Sequence, residues 1–340
     1  MSSRAFITGV SGLELSAAER EFIRGERPWG FILFKRNVET PDQVSALVEE
    51  LRTCLGEADA PVLIDQEGGR VARLGPPHWP VYPPGAAFGA LYDLDPALGL
   101  QAARLSSRLI AADLIDLGIT VDCLPLADVP VAGANAVIGN RAYGTEPAKV
   151  AAIARAVTGG LEQGGVLPVL KHIPGHGRAT ADSHFRLPTI DTPREELERT
   201  DFAAFRPLAD LPMAMTAHVV FSALDPAQPA TTSATIIRQV IRGQIGFQGL
   251  LMSDDVSMNA LAGSIAERTR AIVNAGCDMV LHCNGKLDEM RDVARETPEL
   301  TGEALQRASR ALASRKPPEP LDRPAARAEL DALLDRIGTA

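Results

Sequence analysis

The feature that most constrains the fold of this 340-residue chain is a repeated alternation of short apolar runs with longer helical segments. The runs are almost continuously apolar, which is typical of strands that are buried on both faces. Eight such runs are found, at residues 5–8, 30–34, 61–64, 119–124, 165–170, 213–217, 250–252 and 279–281. This order predicts an α/β protein with a parallel sheet, either a single (β/α)8 TIM-type barrel or an open doubly wound sheet.

Helix signals lie between the predicted strands. Ser16 and Glu19 have the spacing of a capping box, and Thr40 is placed to cap a second helix. Further helices are predicted at 96–117, 147–162, 233–242 and 257–274, the last ending at Gly276.

The proline-rich residues 315–320 predict an extended linker, followed by a terminal helix at 324–337. We therefore expect a barrel domain over residues 1–315 and a linker with a C-terminal helix, packed on the barrel, over residues 316–340.

Composition limits the classes of partner and the cellular location that we expect for this chain. The formal net charge of −9 argues against binding to nucleic acid or to an anionic membrane surface. No signal-peptide core and no apolar run of roughly 18 residues is found, so we expect a cytoplasmic protein. The four cysteines lie in apolar contexts without zinc-finger spacing and are predicted to be buried free thiols. We expect a monomer.

Polar side chains gather where the predicted strands end. In a barrel all carboxyl ends of the strands meet at one rim, where barrel enzymes have their active sites. This grouping favours the barrel over the open sheet, and it comprises Asp65, Lys171, His172, His218, Asp254 and His282.

The segment after the fifth predicted strand carries a longer motif. Residues 171–177 read Lys-His-Ile-Pro-Gly-His-Gly, and residues 182–184 read Asp-Ser-His. This pattern resembles the bacterial β-N-acetylglucosaminidases of glycoside hydrolase family 3, in which Lys-His-(Phe/Ile)-Pro-Gly-His-Gly is followed by Asp-Ser-His. The resemblance extends from about residue 4 to residue 315 and implies a single (β/α)8 barrel.

The resemblance also implies a mechanism. The family nucleophile corresponds to Asp254, the proton-transferring histidine to His184, and the acid that orients it to Asp182. An imidazole with a pKa near 6.5 can donate and accept protons at neutral pH, which suits this role. From position alone, one of Asp254 and Asp255 could instead cap the following helix.

The family's sugar-binding positions correspond to Asp65, Arg73, Arg141, Lys171 and His172. From the residues alone, Lys171 could equally form a salt bridge with an acid at a neighbouring strand end. Glu67 and Arg70 are predicted to brace the loop, His176 to shape it, and His218 to line the floor of the site. The glycines at 175 and 177 are interpreted as making the loop mobile.

The resemblance implies an exo-acting, retaining enzyme that needs no cofactor or metal. Its substrate would be a GlcNAc-containing muropeptide, with GlcNAc β-1,4-linked to anhydro-N-acetylmuramic acid. The sequence also admits three alternatives: a phosphorylase or β-glucosidase-like hydrolase, a non-catalytic sugar-binding protein, and a metal hydrolase. The last is disfavoured because Pro174 and Gly175 interrupt the helix that a His172–His176 ligand pair would require.

Overall fold

The computed structural model describes residues 3–179, 181, 183 and 186–338. Its centre is a closed barrel of parallel strands, each paired with its neighbours along the chain, and the last strand pairs with the first. The strands are β1 (Arg4–Thr8), β2 (Pro28–Leu33), β3 (Val62–Ile64), β4 (Val121–Asp122), β5 (Leu167–Ile173), β6 (Met213–Thr216), β7 (Leu250–Asp255) and β8 (Met279–His282). Closure confirms the predicted (β/α)8 barrel and excludes the open doubly wound sheet.

Helices surround this barrel. They are α1 (Ala17–Glu26), α2 (Pro41–Leu55), α3 (Gly85–Leu94), α4 (Pro96–Asp116), α5 (Pro147–Gln163), α6 (Arg194–Arg199), α7 (Asp201–Phe205), a π-helix (Ile236–Ile245), α8 (Ile265–Ala275), α9 (Leu287–Glu296), α10 (Gly302–Ala313) and α11 (Arg323–Gly338).

The predicted helix caps are confirmed. The backbone N–H of Glu19 donates a hydrogen bond to the Ser16 hydroxyl, and the Glu19 carboxylate accepts a hydrogen bond from the Ser16 backbone N–H. Thr40 accepts a hydrogen bond from the backbone of Gln43, and Gly276 ends α8 with a φ of 103°.

One helix is absent from the prediction, and two helices begin later than predicted, the π-helix at Ile236 instead of residue 233 and α8 at Ile265 instead of residue 257. The helix α3 was not predicted, because its start is marked only by Pro84. The predicted helix at 257–274 begins instead at Ile265, where Ser264 and Glu267 form a second capping box. Ser257 donates its backbone N–H and its hydroxyl to Asp255, which holds the preceding residues in a turn.

Both faces of the barrel strands are buried, as their apolar composition predicts. Ile7, Ile32 and Leu63 face a cluster inside the barrel. Phe6 and Phe31, one position earlier, belong to a second cluster between the barrel and the helices. Alternate side chains therefore serve two different cores, which explains why the strands show no polar alternation.

The C-terminal helix is present and packs on the outside of the barrel. Leu330 of α11 is fully buried against the main cluster, and Arg323 forms an ion pair with Asp116 at the end of α4. The boundary that we place at residue 315 between barrel and tail remains a proposal.

All four cysteines are buried and free, as predicted. Within the described part of the chain, no helix combines the length and apolarity needed to cross a membrane.

Candidate active site

A cavity of about 310 Å³ opens at the carboxyl ends of the strands. Its volume is at the lower end of the roughly 300–1,000 Å³ typical of small-molecule sites. The wall combines apolar side chains such as Phe34, Met215 and Met258 with charged and polar ones. Most of the predicted sugar-site residues lie in this wall, namely Asp65, Arg73, Arg141, Lys171, His172 and Asp254.

Lys171 is the centre of a chain of buried ion pairs. Its Nζ atom lies 2.8 Å from Oδ1 of Asp65 and 2.6 Å from Oε1 of Glu67. Asp65 also pairs with Arg73 at 2.9 Å, and Glu67 pairs with Arg141 at 2.7 Å. Three cations and two carboxylates thus alternate along one wall. Lys171 therefore forms the salt bridge that was the alternative prediction for it. Both Lys171 and Asp65 also line the cavity in which the sugar contact is predicted.

These pairs favour the charged forms of Asp65, Glu67 and Lys171. Burial alone would raise the pKa of Asp65 and of Glu67, but Lys171 and the neighbouring arginines outweigh burial and lower both. Burial alone would lower the pKa of Lys171, whereas Asp65 and Glu67 raise it well above its usual value. Since the acid pKa values are lowered on folding, their stabilising contribution is present above about pH 4 and is lost as the pH falls further.

The loop after β3 positions Arg73. The side chain of Gln66 accepts hydrogen bonds from the backbone of Arg73 and Leu74, at 2.8 and 3.0 Å. The Arg73 guanidinium lies 5.0 Å from the centre of the Phe34 ring, a cation–π contact. Arg70 donates to the carbonyls of Ala136 and Val137, so its bracing role is confirmed.

His172 is held by a residue that the sequence analysis missed. Asp128 is fully buried and accepts hydrogen bonds from Nδ1 of His172 at 2.7 Å and from the backbone of His176 at 2.7 Å. Although burial alone would raise the pKa of Asp128, the two histidines lower it to about 2. The available signal was its place four residues after the predicted strand at 119–124, a less direct position than that of Asp65, which follows its own strand at once.

The predicted mobility of the segment with Gly175 and Gly177 stays a prediction, but the structure shows how both glycines pack. Both glycines are buried, and Gly175 has a φ of 141°. A Cβ atom at position 177 would lie only 2.1 Å from the carbonyl oxygen of Val129. These glycines are therefore needed for close packing.

His176 lies within the same packed segment. Its Nε2 atom is 3.1 Å from the hydroxyl of Ser183, and its backbone is fixed by Asp128. Burial lowers the pKa of His176 to about 4, so its ring is neutral at pH 7. These contacts agree with the predicted role in shaping the loop.

Asp254 reaches the cavity from the end of β7. Its Oδ1 atom accepts a hydrogen bond of 2.8 Å from the backbone of Asp255. Asp255 also lines the cavity, but its carboxylate is occupied by Ser257 and by the backbone of Cys283. Neither acid caps the next helix, because Ser264 does so.

His218 does not line the floor of the cavity, contrary to the prediction. It is fully buried and binds Thr231 and the backbone of Asp255. His282 ends β8 but does not line the cavity either. The predicted catalytic residues Asp182 and His184 lie outside the described residues.

Among the residues that the structure does describe, no three His, Cys, Asp or Glu side chains are grouped as a metal site.

Comparison with known proteins decides the family. Residues 7–314 match the glycosyl hydrolase family 3 N terminal domain. This chain belongs to glycoside hydrolase family 3. As a member of that family it is a glycoside hydrolase.

Family 3 relatives cover nearly the whole chain. A β-hexosaminidase from Alkalilimnicola ehrlichii is 40% identical over 280 residues, which are 81% of this chain and 79% of the relative. The structure of NagZ from Neisseria gonorrhoeae in complex with N-trifluoroacetyl-D-glucosamine superposes on this chain with a TM-score of 0.85 and 30% sequence identity. The match covers 100% of this chain and 98% of the NagZ chain.

A longer relative has the same barrel. The family 3 β-N-acetylglucosaminidase from Paenibacillus sp. str. FPU-7 has a TM-score of 0.83 and 31% identity. The match covers 98% of this chain but only 66% of that protein. The barrel is therefore found both alone and as part of larger family 3 proteins.

Replacing Gly177 with alanine tests whether this glycine is needed for packing. Because the added methyl group would meet the Val129 carbonyl, we expect Gly177→Ala to lower the free energy of unfolding by about 1–3 kcal/mol. Denaturant unfolding measures the loss. Gly25→Ala is the control, since a Cβ there meets nothing within 4 Å. A Gly177→Ala protein of unchanged stability but lower turnover would instead support mobility.

Proposed function

We propose that this enzyme is a retaining exo-β-N-acetylglucosaminidase that releases a terminal GlcNAc residue. The observation that carries the proposal is that Asp254 lines one cavity of about 310 Å³ together with four members of the Lys171 ion-pair chain, namely Lys171, Asp65, Arg73 and Arg141. A site of this size fits a small sugar unit and supplies fixed donors and acceptors for its hydroxyl groups. Relatives named β-hexosaminidase and β-N-acetylglucosaminidase support the choice of sugar.

Asp254 is the proposed nucleophile. Its carboxylate oxygen would attack the anomeric carbon as the bond from that carbon to the leaving oxygen breaks, which gives a glycosyl-aspartate ester. Water would then attack the same carbon and release Asp254 as a carboxylate. Two successive inversions retain the configuration of the sugar.

His184 is the proposed general acid and base, with Asp182 as its orienting partner. In the first step the imidazolium would give its proton to the leaving oxygen. In the second step the neutral imidazole would take a proton from the attacking water, which restores the starting state. A neighbouring carboxylate fixes the tautomer of such an imidazole and stabilises its charged form.

Asp65, Arg73, Arg141, Lys171 and His172 are the proposed sugar-binding residues. In the Lys171 chain each carboxylate is already charged and oriented before a ligand arrives. Preorganised groups of this kind spend little free energy on reorganisation when a hydroxyl binds between them. The same ion pairs also stabilise the barrel mouth.

The proposed natural substrate is a muropeptide in which GlcNAc is β-1,4-linked to anhydro-N-acetylmuramic acid. Such fragments belong to the recycling of peptidoglycan, and we place that activity in the cytoplasm. We propose that the protein acts as a monomer.

A panel of p-nitrophenyl glycosides tests the substrate class. We expect the β-N-acetylglucosaminide to give a kcat/KM at least about a hundredfold above that of the β-glucoside, since buried polar groups left without partners are costly. Repeating the assay with phosphate separates hydrolysis from phosphorolysis. If N-acetylglucosamine 1-phosphate replaces free GlcNAc as the product, the enzyme is a phosphorylase; if the β-glucoside reacts faster, the sugar assignment is wrong.

A fluorinated substrate tests the nucleophile. A 5-fluoro-β-N-acetylglucosaminyl fluoride should slow both chemical steps while keeping a good leaving group, so that the glycosyl-enzyme accumulates. We expect mass spectrometry of the digested protein to find the label on Asp254. A label on another residue would remove Asp254 from this role, and an unlabelled but inhibited protein would argue for attack by the substrate's own amide.

Leaving-group dependence tests His184. A poor leaving group needs a proton in the first step, whereas dinitrophenolate does not. We therefore expect His184→Ala to reduce kcat/KM by about 10²–10⁴-fold on an alkyl glycoside and by clearly less on the dinitrophenyl glycoside. Arg186→Ala, two residues along the same segment, serves as the control variant. Equal losses on both substrates would count against His184 as the acid.

A further inference from the structure

A group of buried polar side chains lies next to Asp254 but outside the cavity wall. The backbone ladder between β6 and β7 pairs Leu250 with Met213 and continues as far as Met252 with Met215. Beyond that point, side chains at the end of β6 and just after it form hydrogen bonds to the β7 backbone, in place of the β6 backbone. The backbone N–H of Asp254 donates to the hydroxyl of Thr216 at 3.4 Å.

The second contact reaches the next residue of β7. His218, two residues after Thr216, places its Nε2 atom 2.9 Å from the carbonyl oxygen of Asp255. Thr231 then joins Thr216 and His218, because its hydroxyl lies 2.9 Å from that of Thr216 and 2.7 Å from Nδ1 of His218. All three side chains are fully buried.

The proton directions in this chain are consistent throughout. The carbonyl of Asp255 can only accept, so Nε2 of His218 carries a hydrogen. In the tautomer with its hydrogen on Nε2, Nδ1 of His218 accepts from the Thr231 hydroxyl. The oxygen of Thr231 accepts from the Thr216 hydroxyl, whose oxygen accepts from the backbone N–H of Asp254.

The opposite edge of β7 is fixed as well. Leu281 of β8 donates its backbone N–H to the Ser253 hydroxyl at 3.0 Å, and Cys283 donates to Asp255 at 3.1 Å. The peptide group between Asp254 and Asp255 thus lies between two sets of contacts. Since its N–H donates to Oδ1 of Asp254 at 2.8 Å, holding this peptide also orients the carboxylate.

We propose that Thr216, Thr231 and His218 are positioning residues that hold the Asp254 carboxylate in line with the anomeric carbon. The proposal rests on the proposed function, in which Asp254 is the nucleophile. None of the three lines the cavity. Their removal should therefore slow the attack on the sugar and leave sugar binding largely unchanged.

The test compares variants that differ by one hydroxyl group. Thr231→Val keeps the shape and removes the hydroxyl, whereas Thr231→Ser keeps the hydroxyl and removes a methyl group. Thr232→Val is the matched control, because the Thr232 hydroxyl bonds to Gln228 and Pro229, away from β7. Each protein is assayed for kcat and KM on the nitrophenyl substrate and for the rate of labelling by the fluorinated substrate.

We expect Thr231→Val to lower kcat and the labelling rate by about ten- to a hundredfold, as for a misplaced reacting group. KM should stay within about threefold of the wild-type value, since sugar contacts are retained. Thr231→Ser should keep most of the activity, and Thr232→Val should match the wild type. If Thr231→Val does not fold, Thr216→Val and Thr216→Ser give the same comparison.

Two results would overturn the inference in different ways. If the wild type is labelled at Asp254 and Thr231→Val reacts at the wild-type rate, the positioning role is wrong and the proposed function stands. If the wild-type label is found on another residue, the nucleophile is wrong and the positioning role falls with it.

Discussion

The barrel mouth depends on the pairing of one buried ammonium group. The side chain of Lys171 is only 2% exposed and lies between the carboxylates of Asp65 and Glu67. Removing one partner of such a buried pair typically costs about 3–5 kcal/mol, because a charge is left without compensation. Glu67 also binds Arg141, so the pair connects three separate parts of the rim, after β3, after β4 and at the end of β5. Cavity shape and fold stability thus depend on the same contacts.

A second general feature is the place where the strand pairing becomes irregular. The register between β5 and β6 shifts between Leu170 and Ile173, and that between β7 and β8 shifts between Met252 and Asp255. Candidate site residues lie within both intervals. Irregular pairing re-aims side chains near active sites. Here backbone groups in these intervals bind buried side chains, such as Asp128 beside His172 and Ser253 on the β8 edge of β7. The barrel can therefore hold its reactive groups on rigid strands and still point them into the cavity.

Much of the architecture could be predicted because its signals are local. Continuous apolar runs indicated strands buried on both sides, and Ser16, Thr40 and Gly276 marked helix ends through short-range hydrogen bonds. The Ser264–Glu267 box had the same spacing as Ser16–Glu19, yet the apolar residues before it led to a helix predicted eight residues too early. Grouping the polar strand ends at one rim succeeded because parallel strands in a closed barrel must all end on the same side.

The sequence by itself determined the family pattern at residues 171–184 and the barrel, and strand direction placed Asp65, Lys171 and Asp254 at one rim. Arg73 and Arg141 were assigned through the family resemblance alone. Only the tertiary structure decided which groups meet. Asp128 with His172 and His218 with the backbone of Asp255 are separated by 44 and 37 positions in the chain, and no local pattern encodes such distances. The same holds for Gly177, where a Cβ atom would collide with the carbonyl group of Val129. That close approach joins segments distant in sequence, so no local pattern could have shown it.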